Sequence, residues 1–317
     1  MRTHSRPRLF VSDRGAGEPV LLITGWTISS AVFDPVAHLY EPSLRIIAYD
    51  HRGAGRSEPW LAPVSMAMLA ADAARVLADR RLRSAHVIGL SMGAAVALEL
   101  ALRMPHRVRS LILVGGGAGG PSTALPGARE ASAAMRSVVA DSLRHRRPWP
   151  AAVLFSESFR ERRPDDVARY LPFFAMHRAP PWMTGWQALA VACFGRRAAL
   201  GGLRAPTLIL HGGQDVLVPV ANAHLLAGGI PDAELHVVEG AGHAVPLEHP
   251  EASARLLTTW VRDHADRRPP EPRRAELLWE QLSRPLALPA GAAGNAREAI
   301  RHIPGSALST MRRAARR

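Results

Sequence analysis

Short apolar runs alternate along the chain with segments of helical spacing. Val20–Thr24, Leu44–Tyr49, Ala85–Ile88, Val108–Val114, Pro206–His211 and Glu234–Glu239 are four to seven residues long. Glycines, prolines or charged turns close them, so each reads as a buried strand. Leu9–Ser12 reads as a further short strand. Met66–Leu82, Ala94–Arg103, Val220–Leu226 and Pro250–Val261 carry apolar residues at helical spacing. Strands alternating with helices predict a mostly parallel sheet with helices on both faces.

The rhythm breaks from about Ala118 to Leu200, where no buried strand is evident. Trp149, Phe155, Phe159, Tyr170, Phe173, Phe174, Trp182, Trp186 and Phe194 fall here, out of 7 Trp, 3 Tyr and 7 Phe in the chain. Such a concentration predicts a helical insertion whose apolar face covers a pocket, or packs into a small core of its own, or both. The expected organisation is a core of residues 1–117 and 201–262, a helical cap at 118–200, and a C-terminal tail at 263–317. The tail opens on Arg267-Arg268-Pro269-Pro270-Glu271-Pro272-Arg273-Arg274, carries a helical pattern from Ala275 to Leu282, and ends on basic residues from Met311 to Arg317. It reads as largely disordered, with room for one docked helix and a weak contact with an anionic surface.

Composition narrows the class. The chain has 317 residues, 47% of them apolar, which suffices for a sizeable core. The formal charge is +13 and every cation among the Lys and Arg is arginine. These arginines are spread along the chain without zinc-finger spacing or an aromatic–basic motif, so nucleic acid is not the expected partner. One cysteine, Cys193, excludes an internal disulfide, and with no base near it in sequence it reads as a packing residue. No apolar stretch follows the basic Met1–Arg8, and no run approaches the ~20 apolar residues of a membrane span. A soluble, cytoplasmic protein without stable membrane insertion is expected.

The chemistry centres on Gly89-Leu90-Ser91-Met92-Gly93, set between a strand and a helix. A serine flanked by glycines two positions away on each side fits a strained strand-to-helix turn. The helix N-terminus there supplies free N–H groups for a developing oxyanion. Such a nucleophile needs a base and an orienting carboxylate. Among 14 histidines, His243 stands out because Gly240-Ala241-Gly242-His243 follows the last strand. Asp215 follows the preceding strand through Gly212-Gly213-Gln214. Ser91, Asp215 and His243 all lie just past strand C-terminal ends, where open α/β sheets place their sites. Oxyanion donors are expected from the backbone N–H of Met92 and of Trp26, in the loop after Thr24. Trp26, Phe155, Phe159, Trp182 and Trp186 are the expected substrate-contacting aromatics. His51 and Arg52 read as pins of a glycine turn. No metal-ligand cluster or dinucleotide glycine pattern calls for a cofactor.

Ile23-Thr24-Gly25-Trp26, Tyr49-Asp50-His51-Arg52-Gly53-Ala54-Gly55-Arg56-Ser57, Gly89-Leu90-Ser91-Met92-Gly93, Gly212-Gly213-Gln214-Asp215 and Gly242-His243 together resemble the α/β-hydrolase superfamily. The similarity covers roughly residues 8–262. It falls in the branch of carboxylesterases, lactonases and pimeloyl-carrier-protein methyl ester esterases. The order serine, aspartate, histidine is that of the family. The family usually carries His-Gly where this chain has Thr24-Gly25, so the backbone donor is kept and that histidine's bracing is lost. The resemblance implies an α/β-hydrolase fold with a helical cap, and acyl transfer through Ser91, His243 and Asp215 on a small ester, lactone or thioester with an apolar part. Carbon–carbon hydrolases, perhydrolases and acyltransferases share the triad, and a ligand receptor without turnover could share the fold.

Overall fold

Seven strands form the sheet in the order β1-β3-β2-β4-β5-β6-β7. They are β1 (Val11–Arg14), β2 (Glu18–Ile23), β3 (Leu44–Tyr49), β4 (Ala85–Leu90), β5 (Val108–Val114), β6 (Thr207–Gly212) and β7 (Ala233–Val238). The computed structural model describes residues 7–120 and 151–282, within one compact unit, Pro7–Ser283. Residues 121–150 of the expected cap, Trp149 among them, and residues 283–317 of the expected tail lie outside the described residues, as do residues 1–6.

β1 runs antiparallel to β3, and every other neighbouring pair is parallel. Antiparallel β1 departs from the parallel rhythm because a tight turn, Gly15–Gly17, joins it to β2 and leaves it on the outer side of β3. The β2 strand lies between β3 and β4, so the chain direction across the sheet reverses there. The C-terminal ends of β2 and β4 therefore flank a topological switch point, where such sheets open a crevice.

Alternating residues feed two cores. Leu21 and Ile23 of β2 pack on one face with helices α1 (Met66–Asp79) and α2 (Met92–Arg103). Val20 and Leu22 pack on the other, with a 3₁₀ segment at Ser30–Leu39 that sequence periodicity does not reveal, because Pro35 and the short Ala/Val pattern carry no helical signature. Four helices follow residue 150: α3 (Ala151–Leu154), α4 (Glu157–Arg162), α5 (Pro164–Ala175) and α6 (Pro181–Ala192). Beyond β6 come α7 (Ala221–Gly229), α8 (Val245–Glu248) and α9 (Pro250–Asp263). The helix expected near the tail is α10 (Arg274–Leu282). It is docked: Glu280 pairs with Arg107 at 2.5 Å, Glu276 meets His106 at 3.2 Å, and the Arg103 guanidinium lies 4.9 Å from the Trp279 ring centre.

Two polar side chains fix the turn after β3. The Arg52 guanidinium, fully buried, grips Asp72 of α1 through two hydrogen bonds at 2.5 and 2.7 Å. His51 Nε2–H donates to the Thr24 carbonyl at 3.0 Å, and burial holds the His51 pKa below its usual value.

Candidate active site

Ser91 sits between β4 and α2 with φ 55° and ψ −119°, a conformation that L-residues rarely adopt. Its N–H donates to Val114 O at 2.8 Å, which fixes the turn against the end of β5. The turn is possible only because Gly93 lacks a side chain: a Cβ there would fall 2.1 Å from Ile23 O and 2.6 Å from Thr24 O. Met92 is the first residue of α2, so its N–H has no carbonyl a turn earlier to bond.

Asp215 is tightly enclosed. Its Oδ1 accepts the Leu217 and Val218 N–H groups at 2.9 and 2.8 Å, and its Oδ2 accepts His243 Nδ1–H at 2.7 Å. His211 Nε2 stands 3.4 Å from the same Oδ2 while donating to Val218 O at 2.7 Å. Burial alone would raise the Asp215 pKa. The charge of His243 and the hydrogen bonds from His211, His243 and the Val218 N–H outweigh it and hold the carboxyl below the usual carboxylate range.

With Nδ1–H committed to Asp215, His243 carries its lone pair on Nε2. Its ring packs against Gly115, which has φ +58° and where a Cβ would stand 3.1 Å from Cε1. Gly115 directly follows Val114, the residue whose carbonyl holds the Ser91 N–H. Ser91 and His243 thus bracket the same peptide at the end of β5. The histidine loop is tied to α3 by Ala244 N–H to Leu154 O at 2.8 Å. It is also held by Glu248, a buried carboxylate that no sequence motif marks. Glu248 Oε1 accepts the Gly242 and Ser156 N–H groups at 2.8 and 2.9 Å, and Oε2 accepts the Ser156 hydroxyl at 2.7 Å. The one sequence signal is a lone acid in the apolar run Val245-Pro246-Leu247-Glu248.

The loop after β2 leans on α6. Trp26 Nε1–H donates to Thr184 O at 3.0 Å, and Thr27 N–H donates to Gln187 Oε1 at 2.9 Å. On the core side, Ser30 N–H and Oγ–H reach Asp50 Oδ1 at 2.7 and 2.8 Å. Burial would raise the Asp50 pKa, but hydrogen bonds from Arg56 and Ser30 bring it below the usual value.

The aromatic residues divide. Phe155 and Phe159 stack at 5.5 Å between ring centres, and Phe155 also meets Tyr170 and Phe174, each at 6.3 Å. This cluster joins the core under the sheet, so these rings pack α3, α4 and α5 onto it. Trp182 is 48% exposed, its Nε1–H on Trp60 O at 3.3 Å, and Trp186 Nε1–H donates to Leu61 O at 3.2 Å. Cys193, expected as a packing residue, is exposed instead, because it lies just past the end of α6.

Among the described residues no group of His, Cys, Asp and Glu could hold a metal ion, and no helix is long and apolar enough to cross a membrane.

The chain belongs to the α/β hydrolase fold family, whose sequence model matches residues 18–250. It is 33% identical over 264 residues to a 2-hydroxymuconate semialdehyde hydrolase of Pseudomonas putida, covering 80% of this chain and 90% of that protein. Its fold is similar to that of a thermophilic esterase from Thermogutta terrifontis, with TM-score 0.68 and 28% identity over 81% of this chain and 93% of the other. It is also similar to Est816, an N-acyl homoserine lactone degrading enzyme, with TM-score 0.68 and 26% identity over 80% of this chain and 97% of the other. The relatives are named as hydrolases, and this chain is an α/β hydrolase.

Proposed function

We propose that the protein is a serine hydrolase that cleaves a carboxylic ester, lactone or thioester with an apolar part. The observation that carries this reading is the backbone of Ser91, held at φ 55° beside the peptide against which the Asp215-bound His243 packs. Ser91 Oγ attacks the carbonyl carbon while His243 Nε2 takes its proton. Asp215 holds the imidazole in the right tautomer and stabilises the imidazolium. The carbonyl oxygen, now negative, receives the backbone N–H groups of Met92 and Trp26. Collapse expels the alcohol or thiol, which takes the proton from His243. Water, deprotonated by the same nitrogen, then releases the acid and regenerates Ser91.

The similarity to a 2-hydroxymuconate semialdehyde hydrolase favours a second reading, in which the same residues break a carbon–carbon bond next to a carbonyl group. Hydrolysis of p-nitrophenyl esters of increasing acyl length, by wild type and Ser91→Ala together, tests the first reading. Turnover that disappears in the variant supports it. A folded wild type that leaves every ester intact but hydrolyses a 2-hydroxy-6-oxo-dienoate favours the second.

A further inference from the structure

The sequence lacks the histidine that the family usually places before the oxyanion-loop glycine, and Thr24 stands there instead. The structure supplies other bracing, and much of it comes from across the crevice. Trp26 Nε1–H reaches Thr184 O at 3.0 Å, Thr27 N–H reaches Gln187 Oε1 at 2.9 Å, Ala179 N–H reaches Thr27 O at 2.8 Å, and Ser29 Oγ–H reaches Met176 O at 3.0 Å. All four partners lie in the cap, on α6 or the turn before it.

Gln187 is the cap side chain in this set. The sequence of α6, Pro-Trp-Met-Thr-Gly-Trp-Gln-Ala-Leu-Ala-Val-Ala, holds no charge, and its polar non-aromatic residues are Thr184 and Gln187. Both are buried, at 1% and 0% exposure, whereas Trp182 and Leu189 face solvent at 48% and 50%. This inverts the usual arrangement of a surface helix. A buried amide needs a partner, and Gln187 finds it in the Thr27 N–H. Thr27 is fully buried with φ 65°, an uncommon conformation for a β-branched residue. Its N–H belongs to the peptide that leaves Trp26. Trp26 is therefore clamped twice, by Thr184 at the ring and by Gln187 at the following peptide.

We propose that Gln187 is a positioning residue for the oxyanion hole. It holds Trp26 so that its N–H faces the carbonyl oxygen as that oxygen becomes negative. Seating of the cap is thereby a condition for acylation of Ser91. Gln187 itself touches none of the reacting atoms. The inference rests on the serine-hydrolase reading above.

The test is stoichiometric labelling by an alkyl fluorophosphonate, in which Ser91 Oγ bonds phosphorus, fluoride leaves, and His243 takes the serine proton. Wild type, Ser91→Ala, Gln187→Met and Gln187→Glu are compared, and kcat and KM are read on one p-nitrophenyl ester. Gln187→Met keeps the side-chain length and loses the acceptor. Gln187→Glu keeps the acceptor, and its second oxygen occupies the place of Nε2, which has no hydrogen-bond partner among the described residues. A carboxyl buried there stays protonated. Labelling and kcat of Gln187→Met should fall together by about 10- to 100-fold, as for a weakened oxyanion donor, with KM within about twofold. Gln187→Glu should recover to within about threefold of wild type. Wild-type labelling by Gln187→Met, a loss confined to KM, or a Gln187→Glu as slow as Gln187→Met at an unchanged melting temperature overturns the proposal. Labelling of Ser91→Ala at the wild-type rate instead removes the serine-hydrolase reading, and this inference with it.

Discussion

His243 Nδ1–H points at Asp215 Oδ2 over 2.7 Å, while the other oxygen of the same carboxylate is taken by two backbone N–H groups. The carboxylate cannot rotate without giving up the Leu217 and Val218 bonds, so the imidazole is oriented by the turn after β6. Asp215→Asn keeps an oxygen for those backbone groups but turns a donor toward Nδ1 and reverses the tautomer. We expect kcat to fall by about 10⁴-fold, with little change in melting temperature. Ester hydrolysis followed alongside thermal unfolding checks both halves.

Acid should destabilise the protein through a buried histidine. His86, fully buried in β4 with its Nδ1 2.7 Å from Ser110 Oγ, has a pKa lowered to about 4 by burial and by the charges of Arg109 and His264. The unfolded chain takes that proton near pH 6.5, so the folded state binds fewer protons in between, and stability drops as pH falls from about 6.5 toward 4. At 1.36 kcal/mol per pKa unit His86 alone accounts for roughly 3 kcal/mol. His51, whose pKa burial also lowers, adds in the same direction. Urea unfolding at a series of pH values should show this slope, and His86→Gln should flatten it.

Gly93→Ala tests the elbow itself. The added methyl would meet two backbone oxygens of β2 and its exit, at 2.1 and 2.6 Å, neither of which can move without disturbing the sheet centre. A loss of about 3 kcal/mol or more is expected, measured by chemical denaturation. An unchanged midpoint would mean that the turn can open.

Glu248 links the histidine loop to α4 through Gly242 and Ser156. Glu248→Leu strands three buried donors and should cost about 3 kcal/mol, lowering kcat as well because Gly242 precedes His243. Glu248→Gln retains an acceptor for both N–H groups and an amide for the hydroxyl, so its cost should stay near about 1 kcal/mol. Paired melting curves and rates distinguish the two.

What could be read from the sequence divides along a physical line. Buried strands announce themselves because apolar residues dominate them, as in Val20-Leu21-Leu22-Ile23, and Gly89-Leu90-Ser91-Met92-Gly93 is legible because a turn that tolerates no side chain leaves glycines behind. Asp215 and His243 stand out in the sequence because glycine-rich turns follow the strands before them. Glu248 and Gln187 carry no such signal, because the N–H groups they hold lie in other loops and a lone polar residue in an apolar segment has no period. Phe155 and Phe159 read as substrate contacts in sequence for the opposite reason: an aromatic cluster has the same composition whether it faces a ligand or a sheet. Only packing separates the two, and here the rings join the core under the sheet.

Cys193 offers an unplanned instrument. It is the single thiol among the 317 residues, it is exposed, and it caps the helix whose inner face carries Gln187. A maleimide dye attached there would give one fluorophore per chain without removing any other cysteine. Placed at the end of α6, such a label would report by anisotropy or quenching how tightly that helix is seated while an inhibitor is bound.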